Sequence, residues 1–245
     1  MCWSGEASTA LAVVGLSATA YAAYRKEPAP LWITLGYFSL MEALQAYTYS
    51  VIDQCSLPSN QIATLLGYLH IAFQPFFINA LSMYFIPREV RERIQGIVYT
   101  LCFIATIIMI IQLYPFDWAG ECDPRRPLCA KSLCSVSGNW HIAWDVPVNG
   151  IWNELSNATI IRSWFYGYAF VAFYLPFLYG SWRIALYHLT LGPALAKLLT
   201  DNLNEQPAVW CLLSIGILLI VVKTPVRKFL YVTNFRGWPR KYRRA

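Results

Sequence analysis

Leu31-Trp-Ile-Thr-Leu-Gly-Tyr-Phe-Ser-Leu-Met-Glu42-Ala-Leu-Gln45-Ala-Tyr-Thr-Tyr-Ser-Val-Ile52 is an uninterrupted run with one charged side chain near its centre. About 20 apolar residues span the ~30 Å hydrocarbon core of a bilayer, so the run reads as a membrane helix carrying a single acid. Six more runs of this kind flank it, at 7–24, 60–86, 95–115, 161–182, 184–200 and 206–222. A hydrophobic fraction of 57% agrees with that reading. The fold class expected is therefore all-α, a polytopic membrane helical bundle with seven spans. The runs at 161–182 and 184–200 are the exceptions to a clean count. Only Ser181-Trp182-Arg183 separates them, and the second contains Gly192-Pro193. If that hairpin does not cross, five spans remain.

Cytoplasmic loops retain Lys and Arg. With the loop after the first run inside, Arg25, Lys26, Arg88, Arg91, Arg93, Arg183, Lys223, Arg227 and Lys228 all fall on the inner side. Only Arg125, Arg126, Lys131 and Arg162 fall outside, and Lys197 lies within the sixth run. The amino terminus is expected outside and the carboxyl terminus in the cytoplasm. The net charge of +6 is concentrated in the tail, Arg236-Gly-Trp-Pro-Arg240-Lys241-Tyr-Arg243-Arg244-Ala. A basic cluster directly after a span is drawn to anionic headgroups, which places the charge against the membrane and not on nucleic acid. The first run has no basic region before it and reads as a signal-anchor with its amino end exported. Its many small residues, Gly15 among them, permit close helix approach. One integral membrane domain, 1–245, accounts for the chain, with a Cys/Trp-rich outer cap at 116–160 and a basic tail at 223–245.

Cys2, Cys55, Cys122, Cys129 and Cys134 fall outside, where disulfides persist, while Cys102 and Cys211 lie within spans. The expected bonds are Cys2 to Cys55 and one within Cys122, Cys129 and Cys134, which leaves one thiol over. A metal site on those three cysteines with His141 is the alternative, but the paired C-x2-C spacing usual for zinc is missing. Trp118, Trp140, Trp144 and Trp152 suit a folded cap at the headgroup level. Asn157-Ala158-Thr159 is a glycosylation sequon on that side.

Of thirteen acidic residues, Glu42 alone falls near the middle of a span. An acid at that depth is costly and marks a functional candidate. Ser39, Glu42, Gln45 and Tyr49 recur at helical spacing and share one face. The next run supplies His70 and Gln74 four residues apart, ahead of Pro75, which removes an amide donor. Antiparallel neighbours would set Glu42 and Gln74 at one depth, with Gln45 and His70 a turn nearer the outside. The group Glu42, Gln45, His70 and Gln74 allows a proton relay, a metal held by His70 and Glu42, or an acid–base pair. It also fits a plain hydrogen-bonded packing network. His188, next to Gly192-Pro193, is a further ligand candidate, and Cys211 reads as a small buried hydrophobe. The last run lacks the mid-span lysine of a retinal protein. No HExxH, GxSxG or phosphate loop is present.

Met1-Cys2-Trp3-Ser4, the segment His70-Ile-Ala-Phe-Gln74-Pro75-Phe-Phe-Ile-Asn79, and Pro207-Ala-Val-Trp210-Cys211 resemble an uncharacterised family of small multi-span membrane proteins, classed as a domain of unknown function. The resemblance covers nearly the whole chain and implies fold and length but no activity. The leading expectation is binding of a small ligand, metal or cofactor in a mid-membrane pocket between the second and third spans. Proton-coupled transport, an enzyme acting on a hydrophobic substrate, and an accessory subunit with partner membrane proteins are the alternatives. No particular cofactor follows from the residues.

Overall fold

The computed structural model describes residues 3–151 and 167–239. Cys2, Trp152, the sequon at 157–159, the start of the 161–182 run and the tail at 240–245 lie outside the described residues. Four long helices open the chain: α1 (Gly5–Tyr24), α2 (Ala29–Tyr49), α3 (Pro58–Tyr84) and α4 (Arg88–Ile111). A β-hairpin follows, β1 (Cys134–Ser137) and β2 (Ile142–Asp145). The helical second half comprises α5 (Leu175–Leu178), α6 (Trp182–Leu189), α7 (Leu195–Leu199), α8 (Gln206–Lys223) and α9 (Val226–Leu230).

The protein is mostly helical, and α1, α3, α4 and α8 are long and apolar enough to cross a membrane. The seven runs expected from sequence reduce to these four for identifiable reasons. Span length is present in α2, but its polar stripe lowers its apolarity. The 161–182 run lies partly outside the described residues. The 184–200 run is interrupted by a π-helical turn at Thr190–Ala194, between α6 and α7. A second π turn, Phe170–Tyr174, leads into α5. Each sits where a proline, Pro193 or Pro176, removes an amide donor.

Local sequence explains the starts and contacts of the helices. Ser4 caps α1 by accepting from the Ala7 amide, and Pro30 and Pro58 occupy first-turn positions of α2 and α3, where a missing N–H costs nothing. The buried residues of α1, namely Ser8, Ala12, Gly15 and Ala22, form one stripe that packs on α2. There a methyl on Gly15 would sit 2.2 Å from Ser39 Oγ, so only a bare backbone fits. Within α3, Pro75 is tied by its carbonyl, which accepts from Asn79 Nδ2 at 2.9 Å. Asn79 Nδ2 also reaches the Val171 carbonyl, and its oxygen accepts from Tyr179.

The cap is a folded unit seated on the ends of α2, α3 and α8. Its strands pair antiparallel from Cys134 with Asp145 to Ser137 with Ile142. Asn60 at the start of α3 donates to the Val51 and Ser135 carbonyls and accepts from the Ser135 amide, all at 2.9–3.0 Å. Asp53 accepts from the Ser137 amide and hydroxyl. Trp144 is buried against Gly67. Two disulfides, Cys55–Cys134 and Cys122–Cys129, close the cap. The expected Cys2–Cys55 bond is thereby corrected, because Asn60 and Asp53 carry the α2–α3 loop onto β1 and bring Cys55 to Cys134. With all four thiols oxidised, the alternative metal site on Cys122, Cys129, Cys134 and His141 falls away. The second bond does lie within the Cys122, Cys129 and Cys134 group.

At the opposite end, Arg227 pairs with Glu27 at 2.7 Å and donates to the Tyr84 hydroxyl, tying α9 to the α1–α2 loop and to α3. Gly15→Ala is expected to destabilise the protein by ~1–3 kcal/mol through overpacking. Adding Ser39→Gly should restore most of the loss, since the two helix-propensity changes offset each other. Thermal unfolding in mild detergent measures both, and an unchanged Gly15→Ala protein would contradict the contact.

Candidate functional site

Glu42 and Gln45 lie on the half of α2 nearer the cap, on the face they share with Ser39 and Tyr49. Both are wholly buried. Neither carboxylate oxygen of Glu42 and neither polar end of Gln45 has a hydrogen-bond partner. The Ser8 hydroxyl of α1 approaches the carboxylate as a weak donor without full hydrogen-bond geometry, and Tyr49 two turns on and Cys211 of α8 are within electrostatic reach. No Lys or Arg pairs with Glu42 among the described residues. The acid therefore stands between α1, α2 and α8, and does not face α3 alone.

The roof of this site comes from the cap. Trp3 Nε1 donates to Ser8 Oγ at 2.8 Å, and its indole stacks on Trp140 at 5.7 Å. Tyr49 and His141 Nδ1 share a hydrogen bond of 2.7 Å, while His141 Nε2 is buried without a partner. The hairpin turn that holds His141 is fixed by Glu205, just before α8. Its carboxylate accepts from the Asn139 amide at 3.1 Å, the Trp140 amide at 2.5 Å, the His141 amide, and the Thr200 hydroxyl at 2.6 Å.

The other candidates from sequence occupy separate settings. Two bonds fix the register of α2 against α3: Asn60 to the Val51 carbonyl, and the Thr34 hydroxyl to the Phe77 carbonyl. This antiparallel register sets Glu42 about level with Leu69 and His70, and Gln74 level with Tyr37. The backbone of Gln74 thus lies about a turn from that of Glu42, while both side chains lie toward Cys211 of α8. Gln74 is fully used, accepting from Tyr168 at 2.5 Å and donating to Cys211 Sγ at 3.0 Å. The His70 ring stacks on Tyr37 at 3.8 Å, and its Nε2 is buried without a partner. The Tyr37 hydroxyl donates to the His70 carbonyl at 2.5 Å.

His188 accepts from Trp210 Nε1 at 3.0 Å and lines a narrow inner cleft with Thr34, Ser82 and Ser214. It sits beside the π turn at Thr190–Ala194 and packs on Phe173 and Trp210. Among the described residues, no three His, Cys, Asp or Glu side chains converge into a metal-binding group.

Tyr168, Tyr37 and Glu205 escape a sequence reading of the site, and His141 enters it only as an alternative metal ligand. Tyr168 and Tyr37 are two among sixteen tyrosines, and nothing local distinguishes them. His141 carries no ligand spacing. Glu205 does have a signal, an acid directly before Gln206-Pro207 at a helix start, but its partners come from a hairpin 64 to 66 residues earlier.

The chain belongs to a family of unknown function, DUF5765, whose model matches residues 6–231. No curated protein and no solved structure matches it.

Gln45 and Gln74 are equally buried but opposite in their bonding, which makes them a matched test. Gln45→Leu removes two orphaned polar groups and should leave stability unchanged or raise it by ~1 kcal/mol, whereas Gln74→Leu orphans Tyr168 and should cost ~1–3 kcal/mol. Melting curves of the two variants check the ordering, and a larger loss in Gln45→Leu would contradict the site's geometry.

His141 in the cap gives a pH signature. Burial pushes its imidazole down to about 3 from the usual 6.5. The unfolded chain takes up this proton near pH 6.5 and the folded cap only near 3. His141 therefore contributes to a loss of cap stability as pH falls through that window. Chemical unfolding followed by Trp fluorescence at stepped pH should show this slope, and His141→Phe should flatten it.

Proposed function

We propose that this member of the DUF5765 family is a multi-pass membrane protein that holds a small cation, or a small ligand presenting hydrogen-bond donors, at Glu42 and Gln45 beneath the disulfide-closed cap. The observation that carries this reading is the set of four fully buried, unpartnered polar atoms on two adjacent turns of α2. Leaving a buried polar group unmet costs ~1–3 kcal/mol, and more when it is charged. Ionisable groups retained inside a membrane bundle are by default functional. A carboxylate with no protein cation beside it calls for positive charge or for donors. The tyrosine ring of Tyr49 nearby is also compatible with an organic cation.

The topology we infer has the amino terminus and cap outside the membrane and the carboxyl terminus in the cytoplasm. Support comes from the basic residues gathered at the Arg227 end of the bundle and the disulfides gathered at the other. Seven crossings remain our reading. The continuous helical stretch from Trp182 to Leu199, with its π turn, is 18 residues long and extends ~27 Å at 1.5 Å per residue. The basic tail would meet anionic headgroups on the inner leaflet.

Thermal melting of the purified protein against sodium, potassium, ammonium and choline salts at constant ionic strength tests the reading. At least one cation should raise Tm by ~5–10 °C near saturation. Glu42→Gln should abolish the shift, while Glu92→Gln, at an exposed acid paired with Arg88 at the start of α4, should keep it. A panel without effect on the native protein, or an equal shift in Glu42→Gln, would sink the assignment.

A further inference from the structure

The basic end of the bundle carries a second site, unrelated to Glu42. The α3–α4 junction, the end of α5 and the segment after α9 meet there. Val232 donates to the Phe85 carbonyl, and Trp238 Nε1 to the Tyr179 carbonyl at 2.9 Å. Gly180, at φ +97°, lets Phe235 and Trp238 close over it, because a side chain would collide with both rings. These contacts leave a cavity of about 380 Å³ between α4 and the carboxyl-terminal segment, within the ~300–1,000 Å³ of small-ligand sites.

The lining is chemically lopsided. Ile94, Leu178, Tyr179 and Trp238 supply apolar and aromatic walls, and Arg93 is the one charged group. Among the described residues no acid lines the cavity, and Glu92, the neighbour of Arg93 on α4, is paired with Arg88. The cavity borders a surface of exposed apolar side chains, Leu178 at 65% and Ile97 at 69% exposure. Those residues sit where α4, a helix fit to cross a bilayer, meets its basic end.

We propose that this cleft between α4 and the carboxyl-terminal segment seats one anionic phospholipid, its phosphate on Arg93 and its upper acyl chain along Ile94, Leu178 and Trp238. A guanidinium suits phosphate oxygens. Basic pockets among membrane helices on the cytoplasmic side recognise anionic headgroups, and the aromatic floor belongs at the depth where Trp and Tyr concentrate. A soluble anion would use Arg93 but gain nothing from the apolar walls.

Native mass spectrometry of the full chain in mild detergent, with phosphatidylglycerol or phosphatidylcholine added, tests this. One phosphatidylglycerol should be retained roughly fivefold more strongly than phosphatidylcholine, as one basic contact provides. Arg93→Gln, at an exposed position, should erase that preference, and Ile94→Trp, which fills the cleft, should weaken retention of both lipids. Excess inorganic phosphate should displace neither. Equal retention of the two lipids by the native protein, an unchanged preference in Arg93→Gln, unaltered retention in Ile94→Trp, or displacement by phosphate alone would each overturn the proposal.

Discussion

One carboxylate organises the cap end of this protein. Glu205 gathers three successive backbone amides of the hairpin turn and the Thr200 hydroxyl. It thereby joins the cap to the head of α8 at a point buried from solvent. A charge so placed is tolerated because it is met by several donors at once, the condition under which burial stops being prohibitive. Gly138 could not carry a side chain there, since a methyl would press on that carboxyl group. Remove the fixed turn and His141 loses its position over Tyr49, Trp140 its stack with Trp3, and the Glu42 site its roof.

The bundle beneath shows the contrast that gives Glu42 and Gln45 their meaning. Many interior polar side chains are matched: Asn79 bridges α3 to Val171 and Tyr179, Thr106 reaches the Ala72 carbonyl, and Tyr68 reaches the Met109 carbonyl, whereas His70 and His141 each keep one buried ring nitrogen without a partner. Each such bond between membrane helices contributes modestly, about 0.6 kcal/mol. Their collective effect is to specify which faces meet. Against that pattern, Glu42 and Gln45 stand out because both polar atoms of each of these neighbouring side chains lack a partner.

What was legible in the sequence followed from properties that repeat along one element. The apolar runs became helices because length and apolarity are local, and the stripe of Ser39, Glu42, Gln45 and Tyr49 did share one buried face. Properties set by the meeting of distant segments were not legible. Cysteine spacing could not reveal that Cys55 faces Cys134, because the α2–α3 loop is brought there by Asn60 and Asp53. The depth of Gln74 depended on a register fixed by Thr34 and Asn60, two polar residues unremarkable in the runs that contain them. The π turns were not legible, since Pro176 and Pro193 announce a missing donor but not how the backbone absorbs it.

Helix α1 has a consequence of another kind. It packs chiefly on α2, touches α8, and turns Val13, Val14 and Tyr21 outward. Yet its inner face, with Ser8 and Ala12 wholly or nearly buried, forms one wall around Glu42. The barrier between that acid and the surrounding lipid is therefore a single helix thick, whereas the route toward the aqueous side is closed by a cross-linked hairpin. For the ligand proposed at Glu42, entry past α1 would displace one helix, whereas entry past the cap would displace a disulfide-bonded hairpin.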